Sequence, residues 1–340
     1  MARASGSDDW LAQRIRASGR RWRFDEAVDA LLYDPLEGFY GSGRGAAGRR
    51  GDFITSPEVG PLFGASLARA LDLWWDELAR PQPFVVAEAG AGAGTLARAV
   101  LAAQPDCAAA LQYVTVERSA SLRASQPAGV DRRQDLPDRA HVVLANELLD
   151  NLPFRLVEWR DGVWREVMVE DALGEVLGDP VSDCRLPSTA HDGSRAPLQD
   201  AAAAWVGQAR RRSVGPVVAF DYTSTTESMV GRSYLEWVRT YRGHERGGAP
   251  LDAPGSQDVT CEVAVDQLPA PVETMTQADA LRAWGIDDLV ADGRRIWNER
   301  AHVGDLAAMR ARSRVREADA LLDPEGLGGF MMLRWSGEAS

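Results

Sequence analysis

Lysine is absent: all 38 basic residues of the 340-residue chain are arginine. That excludes a Schiff-base lysine and a Walker-A phosphate lysine, and with them two large classes of covalent and nucleotide chemistry. Cysteine is scarce, and Cys107, Cys184 and Cys261 are too widely spaced for a CxxC pair. Neither a disulfide frame nor a zinc site is indicated. The histidines, His141, His191, His244 and His302, are as dispersed. Positive charge is outweighed, with a net charge of −12, which argues against a nucleic-acid face. Arg20, Arg21 and Arg23, and then Arg210, Arg211 and Arg212, are local exceptions that read as solvated helix faces. No apolar run reaches the roughly 18 residues of a membrane span. Asp8 and Asp9 interrupt the arginine-rich start and no apolar stretch follows, so a cytoplasmic protein without a signal peptide is expected. Usage this rich in Ala, Gly and Arg fits a GC-rich, bacterial genome.

What is present is an ordinary globular composition, 45% hydrophobic, with an α/β rhythm in the middle. Residues 2–32 read as helical, with Phe24, Val28, Leu31 and Leu32 forming an apolar stripe. Asp34-Pro35 followed by Gly38 is turn chemistry, with Tyr33, Phe39 and Tyr40 to pin the turn to a core. A glycine-rich loop, 41–51, runs into Gly51-Asp52-Phe53-Ile54-Thr55-Ser56-Pro57-Glu58. Thr55 or Ser56 before Pro57, with Glu58 in the first turn, starts a helix expected to reach about Arg80. Strands are expected at 85–88, 113–116, 141–145 and 217–220, with a short segment ending at Gln134-Asp135-Leu136. Helices are expected to about Ala103, near 119–125 and at 200–212. Asp161-Gly162 between 156–159 and 163–169 reads as a hairpin with a type I′ turn. Residues 171–198 read as a polar connection. After Tyr222 the alternation stops: a loop-rich stretch, a short strand at 259–265, helices near 276–284, 287–300 and 302–318, and a last strand at 330–335. A mostly parallel sheet with a helical N-terminal annex and a helical insertion is expected.

The chain is organised around Val85-Val86-Ala87-Glu88-Ala89-Gly90-Ala91-Gly92-Ala93-Gly94-Thr95. A strand, a glycine turn and a helix start is how such sheets hold a nucleotide-like ligand. The spacing G-x-G-x-G departs from the dinucleotide G-x-G-x-x-G, and the candidate ribose acid, Glu117, comes late for that fingerprint. Both points favour a ligand without a pyrophosphate, such as S-adenosylmethionine (SAM), over a nicotinamide cofactor. Strand ends then offer a partner to each part of SAM. Glu88 suits the cationic methionine end, Gly90 and Gly92 admit close backbone approach, and Glu117 accepts from the ribose. Asp135 and Leu136 take the adenine, and Asn146 stands where the methyl group should point. Methyl transfer is an in-line displacement and needs no metal. Tyr222, Glu147 and His244 are candidates for a base.

Gly51–Glu58, Glu88–Leu96 and Ala145-Asn146-Glu147-Leu148-Leu149-Asp150-Asn151-Leu152-Pro153 together resemble the MidA-type SAM-dependent methyltransferases. These are relatives of the mitochondrial complex I assembly-factor arginine methyltransferase. Leu32–Tyr40, Phe220-Asp221-Tyr222, Gly255–Thr260 and Pro324–Phe330 are looser matching blocks, so the resemblance covers nearly the whole chain. It implies a class I, Rossmann-like methyltransferase fold. It also implies that the upstream block (Gly51, Asp52, Phe53, Thr55, Ser56) completes the SAM site beside Glu88, Gly90, Gly92, Gly94, Glu117, Asp135, Leu136 and Asn146, with Thr55 and Ser56 holding the methionine end. Residues 1–80 would be the annex and lid segment, 81–222 the SAM-binding core, 223–320 a substrate or partner insertion, and 321–340 the returning strand. The acceptor would be a protein arginine or another nucleophile of a protein or small molecule. Glu147 would then bind a guanidinium as a bidentate carboxylate, with Asp150 as second acid and Asn146 and Tyr222 beside them. One departure stands out: the family's His and Asp after its Asp-x-Thr segment are Glu262 and Ala264 here. That departure motivates the alternative, a SAM-fold assembly protein with little or no methyl transfer.

Overall fold

Seven strands form the central sheet: β1 (Phe84–Ala89), β2 (Leu111–Val116), β3 (Asp131–Arg133), β4 (Val142–Asn146), β5 (Pro216–Asp221), β6 (Glu273–Thr276) and β7 (Met331–Ser336). The computed structural model describes residues 10–43, 55–243 and 245–339. The strand order is β6-β7-β5-β4-β1-β2-β3. β1, β2, β3, β4 and β5 pair in parallel, and β7 runs antiparallel to both β5 and β6. The chain winds outward from β1 through β2 to β3, then returns to the other side of β1 as β4. The order therefore reverses between β1 and β4, and ligands of such sheets bind beyond the strand ends at that point.

The sequence pattern accounts for this sheet. β1 and β5 are nearly uninterrupted apolar runs because both faces are covered. On one face lie the helices Pro61–Glu77 and Thr95–Ala103, with the late helices Gln277–Ala283 and Ile286–Arg300. Their Phe63, Leu67, Leu71, Val100, Leu281 and Ile286 close over Val86, Leu144 and Phe220. On the other face the helix Asp200–Arg212 buries Ala202, Val206 and Ala209 against Val143, Val217 and Ala219. Arg210, Arg211 and Arg212 occupy its last turn, where a cation is favoured by the helix dipole.

Several elements differ from the sequence reading, each for a local reason. Helix 2–32 is, within the described residues, Trp10–Ser18 and Phe24–Tyr33. Gly19, at φ 68°, ends the first in the left-handed region. Arg20, Arg21 and Arg23 therefore lie at and beyond this break rather than on one helix face. The helix expected from Thr55 is Ser56–Val59 and then Pro61–Glu77. Pro61 holds Gly60 in extended backbone, and a proline cannot carry the helix on. Leu62 N–H, orphaned at the new helix start, donates to Glu317 Oε2 at 2.9 Å, a cap whose loss typically costs about 1 kcal/mol.

The polar stretch 171–198 contains two strands, Glu175–Val181 and Arg195–Leu198. With Trp22–Arg23 and the hairpin Arg155–Arg160/Val163–Val169 they make a second, antiparallel sheet. The hairpin was expected from the sequence; Glu175–Val181 and Arg195–Leu198 were not, because their own composition is that of a polar connection. The hairpin turn has both Asp161 (φ 52°) and Gly162 (φ 79°) left-handed, as type I′ requires. A separate core joins the annex to this sheet and to the late insertion through Trp10, Phe24, Leu31, Phe154, Trp237 and Val259.

Candidate active site

A cleft of about 260 Å³ opens beyond the carboxyl ends of β1 and β4. The glycine turn forms one wall. Gly90, Gly92 and Gly94 all have positive φ (67°, 51° and 75°), but they are glycine for different reasons. A Cβ on Gly90 would press on Leu148 Cδ1 at 3.0 Å, and one on Gly94 on Pro127 Cδ at 2.6 Å. On Gly92 it would meet no atom within 4 Å, because it would point into the cleft. At Gly92 protein packing does not forbid a side chain; the left-handed backbone is what favours glycine there.

Acids stand at successive strand ends. Glu88 is buried on β1 and accepts from the Tyr113 hydroxyl at 2.8 Å. Burial pushes its carboxyl up to about 8, and the Tyr113 hydrogen bond opposes the rise. Glu117, just past β2, spans the turn: Oε2 accepts from Gly92 N–H at 2.9 Å and Oε1 from Ser119 N–H at 2.7 Å. Burial raises its carboxyl too, opposed by the Ser119 and Gly92 amides. Past β3 it is Gln134 that lines the cleft. Asp135 is exposed, and the Leu136 side chain is packed in the core beneath, so neither lines the cleft.

The far wall begins at Asn146, the last residue of β4. Its Nδ2 donates to Glu147 Oε1 at 3.0 Å, and its Oδ1 is buried without a hydrogen-bond partner among the described residues. Glu147 has φ 48°, a conformation costly for a residue with a Cβ. It is held by its own N–H to Phe220 O at 2.8 Å and by the turn Leu149–Asn151 that follows. Asp221 at the end of β5 fixes that turn: its Oδ2 accepts from Leu149 N–H at 2.9 Å and Asp150 N–H at 3.3 Å. The strained backbone delivers the Glu147 carboxylate into the cleft. Burial, then the Asp221 charge, pushes it up to about 8. Asp150 lies behind, buried, with Oδ1 unpartnered, and burial followed by the Asp221 and Glu147 charges holds it well above the usual carboxylate range.

The upstream block reaches this wall. Thr55, Pro57 and Glu58 line the cleft. Ser56 N–H donates to Glu147 Oε1 at 3.3 Å, while its hydroxyl turns away to Gln277 Oε1 at 2.8 Å. Gly51, Asp52, Phe53 and His244 lie outside the described residues. Tyr222 does not line the cleft: its ring packs on Phe330 with centroids 4.0 Å apart. Glu262 is clamped between Arg232 (2.7 Å) and Arg239 (2.5 Å), and Ala264 is fully buried, its N–H donating to Gln199 Oε1. Neither of the two departing positions offers a free polar group to the cleft.

Four further lining residues escaped sequence reasoning: Tyr33, Tyr40, Arg118 and Asn151. Tyr33 OH donates to Asn151 O at 3.2 Å and Tyr40 OH to Asn151 Oδ1 at 3.3 Å. Asn151 Nδ2 donates in turn to Asp258 Oδ1 at 3.0 Å. Arg118 stacks over Tyr33, 4.4 Å from the ring centroid. The tyrosines read as core anchors in the sequence. Their hydroxyls were the remaining signal, because a buried phenol seeks a polar partner.

An acid for an ammonium, an acid for a diol, a glycine with space above it and an unpartnered buried amide oxygen suit SAM. The comparisons agree. A family model for S-adenosyl-L-methionine-dependent methyltransferases matches residues 66–283, more than half of the chain. The mitochondrial protein arginine methyltransferase NDUFAF7 of Bos taurus is 26% identical, over 77% of this chain and 69% of its own length. Its Drosophila melanogaster homologue is 30% identical over 44% of this chain, and the match spans 41% of that protein. A crystal structure from Burkholderia thailandensis, a methyl transferase candidate bound to S-adenosyl-homocysteine, is 27% identical with a TM-score of 0.79, covering 97% of this chain and 92% of that one.

Proposed function

The chain belongs to the MidA-type family of SAM-dependent methyltransferases, and from that premise we propose that it methylates a nitrogen of a cationic acceptor, a protein arginine before all others. The strand order supports reading the core as a class I methyltransferase sheet. The observation that carries the acceptor is the buried Glu147 carboxylate at the cleft wall, beside Asn146, whose Oδ1 is buried without a donor among the described residues. Buried acceptors left unpaired cost about 1–3 kcal/mol each, and a guanidinium brings several donors in a fixed fork.

SAM, when bound, supplies an electrophilic methyl group on a sulfonium. Glu88 would pair with its ammonium and Glu117 with its ribose hydroxyls, exchanging the Gly92 amide for them. Thr55 and the amide of Gly92 would complete the methionine end. Glu147 would pair with the acceptor cation and take the proton that leaves the attacking nitrogen, as the N–CH3 bond forms and the S–CH3 bond breaks to leave the neutral thioether. A carboxyl near 8 is well matched to that task at neutral pH. Tyr33, Tyr40 and Asn151 wall the cleft on the annex side and keep water from the reacting atoms.

The clamped Glu262 and buried Ala264 favour a second reading, an assembly protein that binds SAM without transferring methyl. Purified protein incubated with cell lysate and tritiated SAM separates the two: a labelled band that disappears with Glu147→Gln supports transfer, and no labelled band supports assembly. A cytoplasmic location is part of this proposal. No described helix is long and apolar enough to cross a membrane.

A further inference from the structure

The helices Ile286–Arg300 and Leu306–Leu321 pack side by side. A groove of about 340 Å³ runs between Arg294 and Trp297 on the first and Arg312, Val315 and Arg316 on the second. Among the described residues no carboxylate lines it. Arg312 lies over the Trp297 ring, 5.0 Å from its centroid, which presents the guanidinium along the groove. Neighbouring arginines on the first helix are neutralised: Arg295 pairs with Asp292 and Glu299, and Arg300 with Asp305. Among the described residues Arg294, Arg312 and Arg316 have no carboxylate partner and are exposed. They stand together along one groove in a chain of net charge −12. At the loop end of the hairpin Val303, Leu306 and Met309 are each more than half exposed (57%, 66% and 54%). At the other end, Glu317 caps the helix that follows Thr55–Glu58 at the cleft.

We propose that this groove docks an acidic segment of the methyl-accepting protein, with the exposed apolar residues taking one of its hydrophobic side chains. The inference rests on the acceptor being a protein. Three unneutralised guanidinium groups match carboxylates in charge and in bidentate geometry. The apolar end favours a protein over a nucleic acid, whose phosphate backbone has no use for it, and the net charge repels a long polyanion. The helix that forms one wall also caps, through Glu317, the helix that follows the cleft-lining segment, so a partner docked in the groove lies on an element tied to the site it must enter.

The test is fluorescence anisotropy with two fluorescein-labelled decapeptides, one of glutamates around a central leucine pair and its lysine counterpart, on the whole protein at low and moderate salt. Wild type is expected to bind the acidic peptide alone, more weakly as salt rises. The double charge reversal R312E/R316E is expected to weaken binding about tenfold or more, with binding of S-adenosyl-homocysteine by calorimetry unchanged. No binding by wild type, or equal binding by R312E/R316E, would overturn the proposal. So would an oligothymidylate that binds wild type as tightly and is lost in the variant. Loss of S-adenosyl-homocysteine binding by wild type with peptide binding intact would refute the enzymatic reading and leave the groove standing.

Discussion

The hydroxyl of Tyr113, buried on β2, donates to Glu88 Oε2 on β1 at 2.8 Å. It is the one side-chain bond that opposes the burial of that carboxyl. Tyr113→Phe removes it while keeping the ring's packing. Glu88 then rises further above about 8, so a larger share is protonated at neutral pH and unable to meet an ammonium. SAM binding at pH 7 is expected to weaken about tenfold, the worth of one hydrogen bond to a charged group, and to approach wild type as pH rises. Calorimetry from pH 6.5 to 9 checks this. A pH-independent loss would show that Tyr113 acts by packing alone.

Glu147→Gln keeps the shape of the side chain and removes the base. Turnover is expected to fall about 10²-fold or more, with SAM affinity nearly unchanged, because Glu147 faces the acceptor. In wild type, activity should climb as pH rises through about 8, where the Glu147 carboxyl ionises, and the variant should lack that limb. A variant with wild-type turnover would remove Glu147 from the chemistry.

Burial also sets how stability depends on pH. Glu88 and Glu147 are raised to about 8 and Asp221 to about 7, whereas in the unfolded chain each ionises near 4. Between pH 4 and 8 the folded protein therefore holds more protons than the unfolded one. Unfolding free energy falls as pH rises through this window. Thermal unfolding of the protein alone should occur at lower temperature at pH 8 than at pH 5.5. The reverse order would mean that these carboxyls are not buried as described.

Much of this was legible in the sequence where chemistry and position coincide. Glu88, Glu117 and Asn146 could be placed because each ends a run of strand-forming residues, and the glycine turn because only glycine adopts three positive φ values so close together. Asp135 and Leu136 were expected past β3 and Gln134 takes that place at the cleft, because a strand of three residues leaves the register of its end open by one. Of the second sheet the hairpin was legible, and Glu175–Val181 and Arg195–Leu198 were missed because they gain their stability from partners in other segments, and their own composition is that of loops. Tyr113 was invisible as a site residue since its side chain reaches the cleft only through Glu88. The opposing case is Glu262: the sequence marked it as a departure from the family's pattern, and two arginines from other elements hold it in place.

The account turns on one ligand lying over the glycine turn. Titration of wild type and Gly92→Val with S-adenosyl-homocysteine in a calorimeter tests it most directly. At this position a side chain meets no protein atom within 4 Å, so the variant should fold, and a valine in the turn that walls the cleft should obstruct a ligand lying over it. It should melt within several degrees of wild type, given the cost of a left-handed valine. Binding of one ligand per chain by wild type, with no detectable binding by folded Gly92→Val, is the predicted result. No binding by wild type, or equal binding by the variant, would contradict it.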